Sequence, residues 1–298
     1  MTLRAGETVA LRVEREFPPY GVLLTNGTTN VLLHHTQMTE EVRPGEDVSV
    51  FLYHDSEDRL AATMKPVKIR WGRTAPLQVV DVRGRLGCFL DMGLDRHLLL
   101  PEGELPESPE LRPQVGDTVY VRLDRDKQGR LLARLAGERE LAAECVTAPQ
   151  SWKNRRVEAI VYRTLSIGSF VVCDAGVLGF GVLGFIHASE RTRSLRLGEK
   201  LQVRVTFVRE DGRVNLSMRK AKEEGRDEDA ARILDFLRSR PGGTMPYSDD
   251  TPPEVIREKF GISKAAFKRA LGMLMKEGLI AQEGNWTSLR ETQGSVQE

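Results

Sequence analysis

Residues 195–220 read LRLGEKLQVRVTFVREDGRVNLSMRK. Gly198-Glu199 signals a turn, Leu201-Gln-Val203-Arg-Val205 alternates, Asp211-Gly212 marks a tight hairpin, and Val214-Asn-Leu216-Ser217 resumes the alternation. Period-two alternation between turn signals predicts half-buried antiparallel strands. The same plan occurs twice upstream, as RPGEDVSVFLYHDSEDRLAATMK at 43–65 and RPQVGDTVYVRLDRDKQGRLLARL at 112–135. Gly45-Glu46 and Gly116-Asp117 stand where Gly198-Glu199 stands. Ser56-Glu57-Asp58 and Lys127-Gln128-Gly129 stand where Asp211-Gly212 stands. One small β unit is therefore written three times.

Each tail follows a second shared piece: a strand, a glycine-aromatic step, another strand and a polar stretch. The three versions are PPYGVLLTNGTTNVLLHH (18–35), GRLGCFLDMGLDRHLLLP (84–101) and SIGSFVVCDAGVLGFGVLGFIHAS (166–189). About five short strands in roughly 65 residues suit a Greek-key barrel of the OB type, whose closure removes exposed edges.

Beyond Lys220 the period changes. Residues 229–237 have helical spacing. Residues 252–261 have proline at the start and glycine at the end. Ser263 can cap a helix over 264–277, with Phe267, Leu271, Leu274 and Met275 on one face and Gly278 as its stop. Residues 279–289 read as a hairpin. Three helices and a hairpin make a winged helix, related to helix-turn-helix. The reading is mainly β with a C-terminal α+β domain. Barrels span 1–66, 67–140 and 151–222, a winged helix spans 227–291, and the linker 141–150 separates barrels two and three.

The chain has 298 residues, 40% hydrophobic and 29% charged, as in soluble multi-domain proteins. No apolar run approaches the ~20 residues of a membrane span, so no membrane partner is expected. The N-terminus lacks the apolar stretch of a secretory signal. Cys88, Cys145 and Cys173 are odd in number and far apart, which predicts buried reduced thiols in a cytoplasmic protein. The net charge of +1 hides an asymmetry: residues 1–65 carry −4, 66–140 carry +1, 141–225 carry +5 and 226–298 carry −1. If a polyanion binds, the third block is its electrostatic candidate.

Gly168-Ser-Phe170-Val171, Gly184-Phe185-Ile186-His187 and the run Asp211-Gly212-Arg213-Val214-Asn215-Leu216-Ser217 resemble the S1 RNA-binding domain, an OB-fold. With residues 51–63, 87–101 and 260–272 added, nearly the whole chain resembles the conserved virulence factor B (YitL-like) family. That resemblance implies three S1-like barrels before a winged helix, RNA binding, an influence on the expression of other genes, and no enzyme activity or cofactor.

In S1-type barrels single strands cross an exposed sheet face, with bases on aromatics and phosphates on basic side chains. The resemblance puts Phe170, Phe185 and His187 on that face. Alternation agrees in part, since Phe185 and His187 share a side and Ile186 points to the core. The bland alternative makes Phe170 and Phe185 core residues. Arg213 follows the hairpin turn, where the resemblance implies a nucleic-acid-facing cation, and Arg204, Arg209 and Lys220 would add charge. Ile167 stands where many S1 domains have an aromatic, and Arg209 falls near a commonly acidic position. Barrel one keeps Tyr20 and His34 but has Leu23 at the Phe170 position. Barrel two keeps Phe89 but has nothing aromatic at the Phe185 position. Both read as scaffold or weak auxiliary contact. His34-His35 would point to opposite strand faces with no second ligand pair, so no metal is expected.

On the winged helix, Lys264, Lys268 and Arg269 share the third helix, beside Asp249-Asp250. DNA, RNA or a protein could be met there. No GxSxG, HExxH, P-loop or CxxC is present. The leading reading is an RNA-binding regulator holding single-stranded RNA on barrel three. The alternatives are a DNA-binding regulator acting through the winged helix and a non-catalytic adaptor of an RNA-processing complex.

The stretch GVLGFGVLGFIH at 176–187 contains a literal G-x-G-x-x-G, Gly179 to Gly184, produced by two copies of GVLGF. A dinucleotide loop needs a strand before it and a long helix after it. Here a β meander follows, so the match is an accident of duplication. Five is odd, so two copies in one strand would face opposite sides. The second copy, 181–185, is assigned to the strand and the first, 176–180, to a lengthened connection. Phe180 is then either an extra stacking platform or folded back onto the barrel.

Overall fold

The computed structural model describes residues 2–176, 181–219 and 222–290, with the backbone alone for 222–227. It divides into two compact units, Met1–Arg219 and Lys220–Glu298.

The first unit holds the three β repeats. Barrel 1 consists of β1 (Thr8–Phe17), β2 (Gly21–Thr25), β3 (Asn30–His34), β4 (Asp47–His54) and β5 (Leu60–Thr63), closed in the order β1-β2-β3-β5-β4. The second repeat consists of β6 (Thr74–Arg83), β7 (Gly87–Leu90), β8 (Leu98–Pro101), β9 (Thr118–Arg125) and β10 (Leu131–Leu135). Barrel 3 consists of β11 (Arg156–Leu165), β12 (Gly168–Cys173), β13 (Val182–His187), β14 (Lys200–Val208) and β15 (Val214–Ser217), closed in the same order as barrel 1.

The first strand of every repeat bends to serve two neighbours. β11 pairs with β14 through Arg156–Ile160 and with β12 through Ala159–Leu165. Its register shifts between Val161 and Arg163, and β1 and β6 shift at the matching places, Val13/Arg15 and Val79/Asp81. A bulge adds the twist that lets one strand belong to both halves of a barrel. The glycine-acidic turns lock onto this bend. Gly45 N–H donates to the Val13 carbonyl, Gly116 to Val79 and Gly198 to Val161. Their φ values of 93°, 94° and 80° explain the glycine. The neighbouring carboxylate then accepts the backbone N–H three residues earlier: Arg43 to Glu46, Gln114 to Asp117 and Arg196 to Glu199. The hairpin turns match as well, with Asp58, Gly129 and Gly212 all at positive φ.

The middle repeat is a five-stranded sheet of order β10-β9-β6-β7-β8, without the parallel pairing that closes the other two. At the open seam Glu104 accepts the Leu135 N–H at 3.1 Å and the Arg134 guanidinium at 2.7 Å. Pro101 has no N–H to offer.

Residues 141–150 are not a loose spacer. They begin within helix α1 (Glu138–Glu144), whose fully buried Leu141 packs with Tyr120 of the second repeat and Tyr162, Val172 and Leu183 of barrel 3. The repeats also interlock directly. Phe51 and Leu197 join the core of the second repeat, and Arg196 reaches Asp117 at 2.7 Å. Cys88 and Cys173 are buried free thiols, while Cys145 is only partly buried.

The second unit contains α2 (Lys222–Arg238), β16 (Thr244–Met245), α3 (Pro253–Phe260), α4 (Lys264–Lys276), β17 (Ile280–Glu283) and β18 (Trp286–Leu289), with sheet order β16-β18-β17. Ile233, Leu237, Ile256, Phe260, Phe267, Leu271 and Leu274 form its core. The Ser263 hydroxyl caps α4 by accepting the Ala266 N–H, and Gly261 ends the preceding turn at φ 68°. Met275 corrects the helical face read from the sequence. It is 40% exposed, because eight residues carry it about 80° around the helix from Phe267. The strand β16 adds a third member to the expected hairpin.

Candidate nucleic-acid interface

The outer surface of barrel 3 is built from the strand register. Phe170 on β12 lies opposite Phe185 on β13, and Arg163 on β11 lies opposite Phe170. Ile186 is fully buried, so Phe185 and His187 face outward on either side of it. The Phe170 and Phe185 rings are 4.9 Å apart, and Phe185 meets His187 edge-on at 6.2 Å. Both phenylalanines are half-buried and His187 is exposed. Phe185 rests on Gly168, where a Cβ would come within 2.6 Å of the ring.

His187 is oriented by its own chain. The Ser189 N–H donates to His187 Nδ1 at 3.2 Å, and the Ser189 hydroxyl lies 2.8 Å from the same nitrogen. With Nδ1 accepting, the neutral ring carries its proton on Nε2.

A groove of about 230 Å³ runs beside the two phenylalanines, lined by Tyr162, Ile167, Phe170, Phe185, Arg209 and Arg213 among others. Its inner wall is Tyr162, which the β11 bulge turns toward α1. Burial first, and Glu138 next, push the Tyr162 hydroxyl up to about 12, so it stays protonated. Arg213 lies in the groove, but its guanidinium is held in a close ion pair by Glu138 of α1, with Asp211 at 3.6 Å. Arg209 pairs with Asp211 at 3.4 Å. The other repeats carry Asp55 and Asp126 at this turn position, each accepting two backbone N–H groups. Barrel 3 thus has a cation where its siblings have a turn-capping carboxylate.

Arg204 is not part of the groove. It lies opposite Ser217 of β15, half-buried, with Asn154 Oδ1 at 3.5 Å from its guanidinium. Lys220 lies outside the described residues. So do residues 177–180, and with them the question about Phe180. Val182–His187 forms β13, so the second GVLGF copy supplies the strand. Two cations were not anticipated. Exposed Arg163 makes no ion pair among the described residues, and Arg219 donates to the Ser189 carbonyl at 2.8 Å, beside His187. Phe207, 53% exposed, was also hidden. Simple alternation would put it in the core with Val205, but a bulge between them turns it outward.

Barrel 1 repeats part of this arrangement. Thr36 N–H donates to His34 Nδ1 as Ser189 does to His187. The expectation that His34 and His35 point apart is corrected: β3 stops at His34, the chain turns, and the rings lie 4.1 Å from each other. Burial, then His35, lower the His34 pKa. In the second repeat Pro101 occupies the position of His187 opposite a glycine. On the winged helix Lys268 pairs with Asp249 at 3.2 Å, Lys264 Nζ lies 3.4 Å from the Asp250 carbonyl, and Arg269 is exposed.

Comparison with known proteins follows the same division. Residues 5–65 match the S1 domain, 75–134 the first S1-like domain of the virulence regulatory factor CvfB, 142–220 its second domain, and 231–289 the CvfB-like winged helix domain. The chain is 40% identical to YitL of Bacillus subtilis over 286 residues, covering 96% of this chain and 94% of YitL. It is 35% identical to conserved virulence factor B of Staphylococcus aureus over 256 residues, 84% of this chain and 82% of the relative. A crystallised multidomain protein with nucleic acid binding domains from Streptococcus pneumoniae superposes with a TM-score of 0.65 at 32% identity, covering 96% of this chain and 98% of the other. By full-length identity and by domain order, the chain belongs to the conserved virulence factor B family.

Proposed function

We propose that this chain is a cytoplasmic, non-catalytic RNA-binding regulator of gene expression that holds single-stranded RNA on the outer face of barrel 3. The observation that carries the reading is the outward row of Phe170 and Phe185, with His187 beside it and Arg163, Arg209 and Arg213 at hand. Outward-facing, half-buried aromatics at neighbouring ladder positions offer bases a stacking surface, worth ~1–3 kcal/mol per base, and cations take the phosphates. The nucleic acid binding domains named for the pneumococcal structure, and the regulatory name of the matched family, support the same reading.

The test is Phe170→Ala/Phe185→Ala/His187→Ala in the full chain, read by RNA titration at several salt concentrations. We expect affinity for single-stranded RNA to fall about tenfold or more, with the thermal midpoint showing that the fold is kept. Unchanged affinity rejects this face. Binding of duplex DNA alone, lost on changing Lys264, Lys268 and Arg269, would favour the winged helix instead.

Glu138 competes with phosphate for Arg213. Glu138→Gln keeps a hydrogen-bonding group and removes the charge. RNA affinity should rise about two- to fivefold, and the salt dependence should steepen by roughly one phosphate contact. An unchanged salt slope would show that Arg213 does not face the RNA.

A further inference from the structure

The outward row on barrel 3 continues past Phe185. Phe185 is level with Asn215 on β15, and Asn215 with Phe207 on β14. Phe207 is 53% exposed between buried Val205 and Val208. Neighbouring strands lie ~4.8 Å apart, so the two phenylalanines stand about 10 Å from each other with Asn215 between them. The Asn215 carbonyl accepts the Thr206 hydroxyl at 3.0 Å. Its half-buried side-chain amide makes no hydrogen bond among the described residues, leaving two donors and an acceptor on offer. No carboxylate stands on this row. Arg163 ends it on one side, and Arg209 follows two residues after Phe207.

We propose that Phe207 and Asn215 form a second base subsite, so that the RNA strand crosses β12, β13, β15 and β14 in turn. This inference rests on the RNA reading above. Phe207 is the stacking platform. Stacking tolerates every base, whereas an amide beside it can hydrogen-bond to a base edge and discriminate. The first subsite holds the strand, and the second gives it a base preference.

The test uses the full chain and short labelled oligo(A), oligo(U) and oligo(C), read by fluorescence anisotropy. Phe207→Ala should weaken all three about 5- to 100-fold, while Phe207→Tyr keeps binding. Asn215→Ala should leave the mean affinity and bring the three oligonucleotides to within about twofold of one another. If Phe207→Ala changes every affinity by less than about twofold while Phe185→Ala weakens them, the row ends at Phe185 and this inference fails alone. If neither substitution weakens binding, the RNA reading fails with it. An unaltered base ranking in Asn215→Ala overturns the role of that amide.

Discussion

Arg196→Met lowers the unfolding free energy of the barrel unit by about 3 kcal/mol or splits its unfolding into two transitions. Arg196 leaves barrel 3 and ends on Asp117 of the second repeat at 2.7 and 2.9 Å, with Glu199 at 3.5 Å. The side chains of Asp117 and Glu199 are only 8% and 6% exposed. Removing the guanidinium strands Asp117 with one backbone N–H as its remaining donor. Such a charge costs more than the pair is worth, so Asp117→Asn/Arg196→Met should recover most of the loss. Urea unfolding of the single and double variants measures both. A single-variant loss below about 1 kcal/mol would show that the repeats dock without this pair.

The same cluster sets an acid limit. Burial alone would raise the Glu199 pKa, but the Arg193 hydrogen bond, the Arg196 N–H and the two guanidinium charges outweigh it and hold the carboxyl below its usual value. A depressed folded-state pKa contributes stability that is complete above the unfolded value and is lost as pH falls through the folded one. The barrel unit should therefore lose stability as pH falls below the usual carboxylate range and hold it unchanged through neutrality.

The repeats were legible because backbone geometry repeats with them. Gly45, Gly116 and Gly198 mark one turn and its carboxylate, and Asp58, Gly129 and Gly212 mark one left-handed hairpin position. α4 was legible through Ser263, Phe267 and Leu271, which follow local capping and periodicity. The hidden features depend on contacts between residues far apart in the chain. Arg213 reads as a free cation until α1 brings Glu138 to it from 75 positions away. Unbroken alternation from Val205 would place Phe207 in the core, but a bulge shifts the phase of β14. Residues 141–150 read as a spacer because Leu141 gains its partners only from two separate repeats. A period-two pattern gives the face of a strand only while the ladder is unbroken, and these barrels break it where they bend.

Gly168→Ala should destabilise the barrel unit by at least ~1–3 kcal/mol and reduce RNA affinity by as much as Phe185→Ala does. A Cβ there would overlap the Ile186 carbonyl oxygen and press on the Phe185 ring at 2.6 and 2.7 Å. The backbone oxygen cannot move without shifting β13, and the ring cannot move without leaving the row. The other repeats separate these two effects. Gly21 lies against the Leu33 carbonyl and Gly87 against the Leu100 carbonyl, and the strand positions that match Phe185 are Leu32 and Leu99, neither of them aromatic. The glycine is thus a demand of the fold in all three repeats and a support for a base platform in one. Gly21→Ala and Gly87→Ala should lower stability by similar amounts and leave the RNA affinity of the folded protein unchanged. Denaturant unfolding and RNA titration, both performed below the first unfolding transition, distinguish the cases. Equal losses of RNA affinity in all three variants would show that the RNA depends on the barrel array as a whole and not on the Phe185 ring.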